Sequence, residues 1–197
     1  MDLRKKILKA LYPLIMRLSK ASAKGRVLKN EEKVVPAQPF YSLSTVMNNG
    51  KPLDFSQFKN KKVLLVNTAS NCGYTGQYEE LQQLHEQQKD SLVIIGFPAN
   101  DFKEQEKDDD QQINQFCQVN YGVTFPLAKK SVVVKNENQN EVYQWLSDAR
   151  KNGWNSHQPD WNFSKYLLNE NGILTHYFGP AVSPLSDEIM TAIKKKA

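Results

Sequence analysis

Cysteine is scarce in this chain: Cys72 and Cys117 are the only two in 197 residues. Two cysteines cannot make a disulfide scaffold. Neither a C-x-x-C pair nor a Cys/His cluster at zinc spacing is present, so no metal and no cofactor is expected. Arginine is equally scarce beyond the first 35 residues, where Arg150 stands alone. Residues 1–35 hold ten Lys/Arg against three Asp/Glu, a net +7, while the remainder holds sixteen against eighteen, a net −2. The formal charge of +5 therefore does not mark a basic body. Nucleic-acid binding needs a basic stripe on the domain itself, and a mildly acidic body with scattered lysines excludes it.

A membrane-spanning run is also missing. The N-terminal segment MDLRKKILKALYPLIMRLSKASAKGR is too short and too charged to cross a bilayer. A signal peptide would need an uninterrupted apolar core, and Lys9 and Arg17 leave only Ala10 to Met16, with Pro13 inside it. Ala21-Ser22-Ala23 could mimic a cleavage site, but secretion is the disfavoured reading. Leu3, Ile7, Leu11, Leu14 and Leu18 recur at helical spacing, with Arg4, Lys5, Lys9, Arg17 and Lys20 elsewhere, which predicts a basic amphipathic helix. Such a helix suits peripheral contact with an anionic membrane, or packing on the domain. A cytoplasmic location, peripheral to the membrane, is the expectation.

With 40% hydrophobic residues and three tryptophans, the chain can build one well-packed domain. Residues 1–38 read as an extension and linker, and 39–197 as the domain. FYSLSTVMNNGKPLDFSQF alternates around Asn49-Gly50 and predicts a β-hairpin. Val63 to Val66 reads as a buried strand, Gln77 to Gln88 as an amphipathic helix, and Leu92 to Gly96 as a second strand ending in Phe97-Pro98. Asp110 is expected to N-cap a helix through Gln118, followed by a strand from Ser131 to Val134 and a helix from Val142 to Ala149. Phe163 to Leu168 and Ile173 to Phe178 flank an Asn171-Gly172 turn, and Leu185 to Lys195 closes the chain as a helix. This order is an α/β layering, a central mixed β-sheet with helices on both faces and an N-terminal β-hairpin.

Within that order Cys72 falls in the turn between the Val63 strand and the Gln77 helix. A thiol there meets the unpaired N–H groups and partial positive charge of a helix start, which favour thiolate over thiol. Gly73 and Thr75 are turn and cap residues rather than core residues, so a reactive cysteine fits better than a packed one.

Four blocks then stand out: NTASNCGYT around Cys72, GFPANDFKEQE around Gln105, QFCQVNYGVTFP around Cys117 and DWNFSKYLL around Trp161. In that order, from about Phe40 to Ile193, the chain resembles the glutathione peroxidase family, which has a thioredoxin-like fold. The resemblance implies a peroxidatic Cys72 surrounded by Gln105, Trp161 and Asn162. Their neutral N–H donors suit both a thiolate and the alkoxide or hydroxide that leaves it. It also implies that Cys117 resembles the resolving cysteine of the thioredoxin-dependent members. Cys117 would attack the Cys72 sulfenic acid to form a disulfide and water, with unwinding of its helix. The chain departs from the family where Ala99 and Asp101 replace residues of its FPCNQF block. Lys103 and Glu104 stand where two glycines usually precede the glutamine.

The implied function is a hydroperoxide reductase recycled by a thioredoxin-like donor. Glutathione is the less favoured reductant, because its two carboxylates want arginine forks and the body has one arginine. A disulfide oxidoreductase would carry a cysteine where Thr75 stands, and a peroxiredoxin a threonine where Ala69 stands. A peroxide sensor using the same two cysteines stays open. The short stretch from Asn136 to Trp161 lacks the loop of the family's tetramers, which implies a monomer or loose dimer.

Overall fold

The computed structural model describes residues 3–19 and 25–195, so the Ala21-Ser22-Ala23 stretch and Lys20 lie outside the described residues. In chain order the elements are α1 (Leu3–Ser19), β1 (Val27–Lys29), β2 (Ser44–Val46), β3 (Pro52–Asp54), β4 (Lys62–Thr68), α2 (Gln77–Gln88) and β5 (Leu92–Pro98). They continue with α3 (Asp110–Tyr121), α4 (Glu141–Leu146), α5 (Ala149–Asn152), β6 (Lys165–Leu168), β7 (Leu174–Phe178) and α6 (Asp187–Lys194).

Five strands form a mixed sheet in the order β1-β7-β6-β4-β5. β4 runs parallel to β5, with Lys62 opposite Leu92 and Thr68 opposite Pro98, and antiparallel to β6. Every residue of β4 is buried, which is why its sequence reads as a continuous apolar run rather than an alternating one. Side chains still alternate between the faces. Leu64 and Val66 join Leu81, Ile113 and Ile189 in one core, under α2, α3 and α6. Val63 and Leu65 join Val142, Trp145 and Phe40 in the other. Helices thus cover both faces, as the sequence order predicts.

The hairpin of β2 and β3 forms as a separate two-stranded sheet, and Gly50 at its tip has φ +81°. Four expectations change. Val27–Lys29, inside the segment expected to be extension and linker, pairs with β7 as an edge strand. The cap of α3 is Asp109, not Asp110: its carboxylate accepts the Gln112 N–H while the Gln112 side chain accepts the Asp109 N–H. Asp110 is engaged elsewhere, accepting the Lys130 N–H at 2.7 Å. Ser131 to Val134 makes no strand beyond a bridge between Val132 and Gln139, because the Ser131 N–H goes to the Pro98 carbonyl and the Val133 N–H to the Asp101 carboxylate. The helix expected over Val142 to Ala149 breaks in two where the Ser147 hydroxyl caps the Tyr143 carbonyl and Asp148 starts α5.

Candidate active site

The parallel pairing of β4 and β5 brings the ends of both strands to one edge of the sheet, and the turn from β4 into α2 lies at that edge. Cys72 sits in this turn and is 1% exposed. One hydroxyl fixes the turn. Thr75 Oγ1 accepts the Cys72 N–H at 3.0 Å and lies 2.7 Å from the Cys72 carbonyl and 3.0 Å from the Ala69 carbonyl, its acceptors. The Tyr74 N–H points at Cys72 Sγ, 3.4 Å away. A backbone donor on the sulfur favours the thiolate by hydrogen bonding.

The loop after β5 is tied to the same turn. The Asn71 N–H donates to the Gln105 carbonyl at 3.1 Å. Glu106, fully buried, accepts both the Ser70 N–H (2.8 Å) and the Ser70 hydroxyl (2.9 Å). Its own N–H goes to the Asn100 side chain. Lys103 and Glu104, where glycines would be usual, adopt φ of +53° and +51°. The loop therefore keeps the left-handed geometry that glycine takes freely, at a cost of about 1 kcal/mol or more per residue.

Trp161 and Asn162 arrive from the turn before β6. Asn67 on β4 anchors that turn: its side chain donates to the Trp161 carbonyl at 3.0 Å and accepts the Ser164 N–H at 3.1 Å. The Asn162 amide then donates to Gln105 Oε1 at 2.9 Å. The Trp161 ring packs on Phe102, with centroids 5.3 Å apart, and has the Lys103 ammonium 5.7 Å from its centroid. The structure thus joins Gln105 to Asn162 directly and ties both their segments to the Cys72 turn or the strand that leads into it.

Cys117 lies on α3, is 0% exposed, and shares one apolar core with Cys72. No disulfide joins the two. Tyr78 and Tyr121 flank Cys117. Burial pushes both phenols up, Tyr121 to about 12, and the neighbouring Cys117 pushes further in the same direction, so both stay protonated at neutral pH. α3 ends just beyond, where Gly122 takes φ +63° and its N–H and that of Val123 close on carbonyls of the last turn, the latter on Cys117 at 3.3 Å.

The N-terminal helix packs on this edge of the molecule. Ile15 and Tyr12 crowd Gly73 and Gly76: a Cβ at Gly73 would lie 3.2 Å from Ile15 Cδ1, and one at Gly76 only 2.5 Å from the Tyr12 ring. The Tyr12 hydroxyl donates to Glu80 at 2.5 Å, and Lys9 donates to the Asn120 carbonyl at 3.3 Å while lying over the Tyr121 ring. Sequence reasoning singled out neither this contact nor Asn67 and Glu106, although both lie inside or beside the quoted blocks. Lys165 was also passed over. It is fully buried, with Nζ donating to the Val182 carbonyl at 2.5 Å, and burial pulls its pKa down to about 7.

Comparison with known proteins places the chain in a family. The family model described as glutathione peroxidase matches residues 40–147. Among curated proteins, the chain is 42% identical over 159 residues to the glutathione peroxidase-like peroxiredoxin HYR1 of Saccharomyces cerevisiae, covering 79% of this chain and 97% of that protein. It is 41% identical to a glutathione peroxidase of Lactococcus lactis, covering 79% and 98%. Among solved structures it resembles Trgpx in apo form, at 30% identity and TM-score 0.61 over 82% of this chain and 99% of that one. A thioredoxin-family thiol:disulfide interchange protein from Chlorobium tepidum, at 15% identity and TM-score 0.57 over 81% and 93%, shares the fold.

Proposed function

Because the chain belongs to the glutathione peroxidase family, we propose that it reduces hydrogen peroxide and organic or lipid hydroperoxides with the Cys72 thiolate, in antioxidant defence. The thiolate attacks one peroxide oxygen, the O–O bond breaks, and the leaving oxygen takes a proton to depart as alcohol or water. Cys72 is left as a sulfenic acid. Gln105, Trp161 and Asn162 supply N–H donors that hold the thiolate and then the leaving oxygen without neutralising either. Cys117 then attacks the sulfenic sulfur, expelling its oxygen as water and leaving a Cys72–Cys117 disulfide. A thioredoxin-like dithiol reduces that disulfide and is itself oxidised.

One observation carries the reading: the Asn162–Gln105 pair and the backbone-bonded Cys72 sulfur are tied to the same end of β4. A peripheral membrane contact through residues 1–35, a cytoplasmic location and a monomer or loose dimer belong to the same reading. Steady-state reduction of hydrogen peroxide with thioredoxin and its reductase, or with glutathione and its reductase, tests it. Many turnovers with thioredoxin and few with glutathione are expected. Faster turnover with glutathione would contradict the two-cysteine cycle, and consumption that stops near one equivalent with either donor would favour a peroxide sensor.

A further inference from the structure

The N-terminal helix has two apolar faces, and the molecule uses only one. Tyr12, Ile15 and Met16 face the Cys72 turn and the start of α2, with the Met16 sulfur accepting from Gln77 and the Tyr12 ring filling the space over Gly76. Leu3, Ile7, Leu11, Leu14 and Leu18 lie about a third of a turn away on the helix. They are 74%, 48%, 46%, 54% and 72% exposed. Among the described residues only three other large hydrophobics, Val35, Val46 and Val119, are exposed, and none continues this stripe in sequence. A contiguous exposed stripe of this kind marks an interaction surface.

The charge around the stripe selects its occupant. α1 has no carboxylate between Leu3 and Ser19. Arg4, Lys6 and Arg17 are exposed and border the stripe. A second copy of the same helix would bring cations against cations with no countercharge. An anionic lipid surface offers an apolar layer for the leucines and phosphates for the cations at once. No described helix is long and apolar enough to cross a membrane, so the contact lies in the interface plane.

We infer that α1 is a two-faced docking helix, with its Leu3-to-Leu18 stripe seated in an anionic bilayer and its Tyr12–Ile15–Met16 face clasping the peroxidatic turn. Docking then sets Cys72 within about one helix diameter, roughly 10 Å, of the lipid surface. Hydroperoxides carried by membrane phospholipids meet the thiolate where they form, without extraction into water. This orientation rests on the peroxidase reading above, whereas the docking itself does not.

Flotation of the full chain with vesicles of phosphatidylcholine alone, or of phosphatidylcholine with phosphatidylglycerol, tests the docking. Binding is expected only with the anionic lipid, and to fall with added salt. Leu11→Glu with Leu14→Glu, both pointing away from the body, should lower binding at least about ten-fold. Arg4→Gln, Lys6→Gln and Arg17→Gln together should flatten the salt dependence. Reduction of a phosphatidylcholine hydroperoxide within anionic vesicles should fall in step with binding, while turnover of soluble hydrogen peroxide stays within about two-fold of the parent. Equal vesicle binding by parent and double-glutamate variant would overturn the inference. So would a dimer of the parent chain that the variant returns to a monomer, which would assign the stripe to a second copy. Absence of hydrogen peroxide turnover in the parent would sink the peroxidase reading and leave the binding result to judge the docking.

Discussion

Cys72 and Cys117 are equally buried and share one core, yet their backbones are held in opposite ways. Cys72 stands in a turn fixed by side-chain bonds: a threonine hydroxyl, a backbone N–H on the sulfur, and the buried Glu106 carboxylate that accepts from Ser70 two residues upstream. Cys117 stands inside α3, where the backbone runs as a regular helix up to the glycine that ends it. The first arrangement suits a group that reacts without moving. In the proposed cycle the second cysteine arrives later, by unwinding of α3 from its glycine-capped end back through Cys117. The proposed cycle thus asks preorganisation of Cys72 and movement of Cys117.

The largest effect that would sharpen this contrast is at the fixed end. Cys72→Ser should reduce peroxide consumption to background with every donor, because a hydroxyl is almost wholly protonated at neutral pH. Residual turnover in a coupled assay would move the chemistry elsewhere. Next come the donors. Gln105→Ala, Trp161→Phe and Asn162→Ala should each slow Cys72 oxidation, followed by stopped-flow fluorescence, by a factor on the order of 10–1,000. Wild-type rates in all three would separate the Asn162–Gln105 bond from the reaction.

Glu106→Ala probes the scaffold rather than the chemistry. It leaves the Ser70 N–H and hydroxyl without their acceptor, which should cost about 1–3 kcal/mol in urea unfolding and slow Cys72 oxidation by about 10- to 100-fold. Loss of stability with an unchanged oxidation rate would show that the turn holds its geometry without this carboxylate. The smallest effect should come from Lys103→Gly with Glu104→Gly. Relief of two left-handed non-glycine residues should raise stability by about 2 kcal/mol and leave the oxidation rate within about two-fold. A loss of stability would mean that the Lys103–Glu104 backbone is not strained.

The same division explains what the sequence made legible. β4, α2 and β5 could be read to within a residue or two because their burial pattern is local and unambiguous. The turn carrying Cys72 followed from its neighbours. Segments whose backbone groups are taken by distant side chains could not be read this way. Ser131 to Val134 has the composition of a strand, but the Asp101 carboxylate takes the N–H that a ladder would need. Glu106 and Asn67 act by hydrogen bonds to residues 36 and 97 positions away. Nothing in their local pattern records such a partner. Lys103 and Glu104 hid in the opposite sense: neither residue type signals the left-handed backbone that both adopt. The stripe on α1 was legible as a stripe, whereas the face that packs on the Cys72 turn was not, because two apolar faces on one helix blur its periodicity.

The central claim, that Cys72 reacts in place and Cys117 comes to it, is tested most directly by Cys117→Ser. Its Cys72 should be oxidised by peroxide at close to the parent rate in a single-turnover stopped-flow experiment, since that step needs only the thiolate and its donors. Thioredoxin-supported turnover should then collapse, and intact-mass spectrometry should show Cys72 carrying two added oxygens as the sulfinic acid. Thioredoxin-driven turnover equal to that of the parent chain, with no sulfinic acid, would contradict the account and leave Cys117 as a packed core residue.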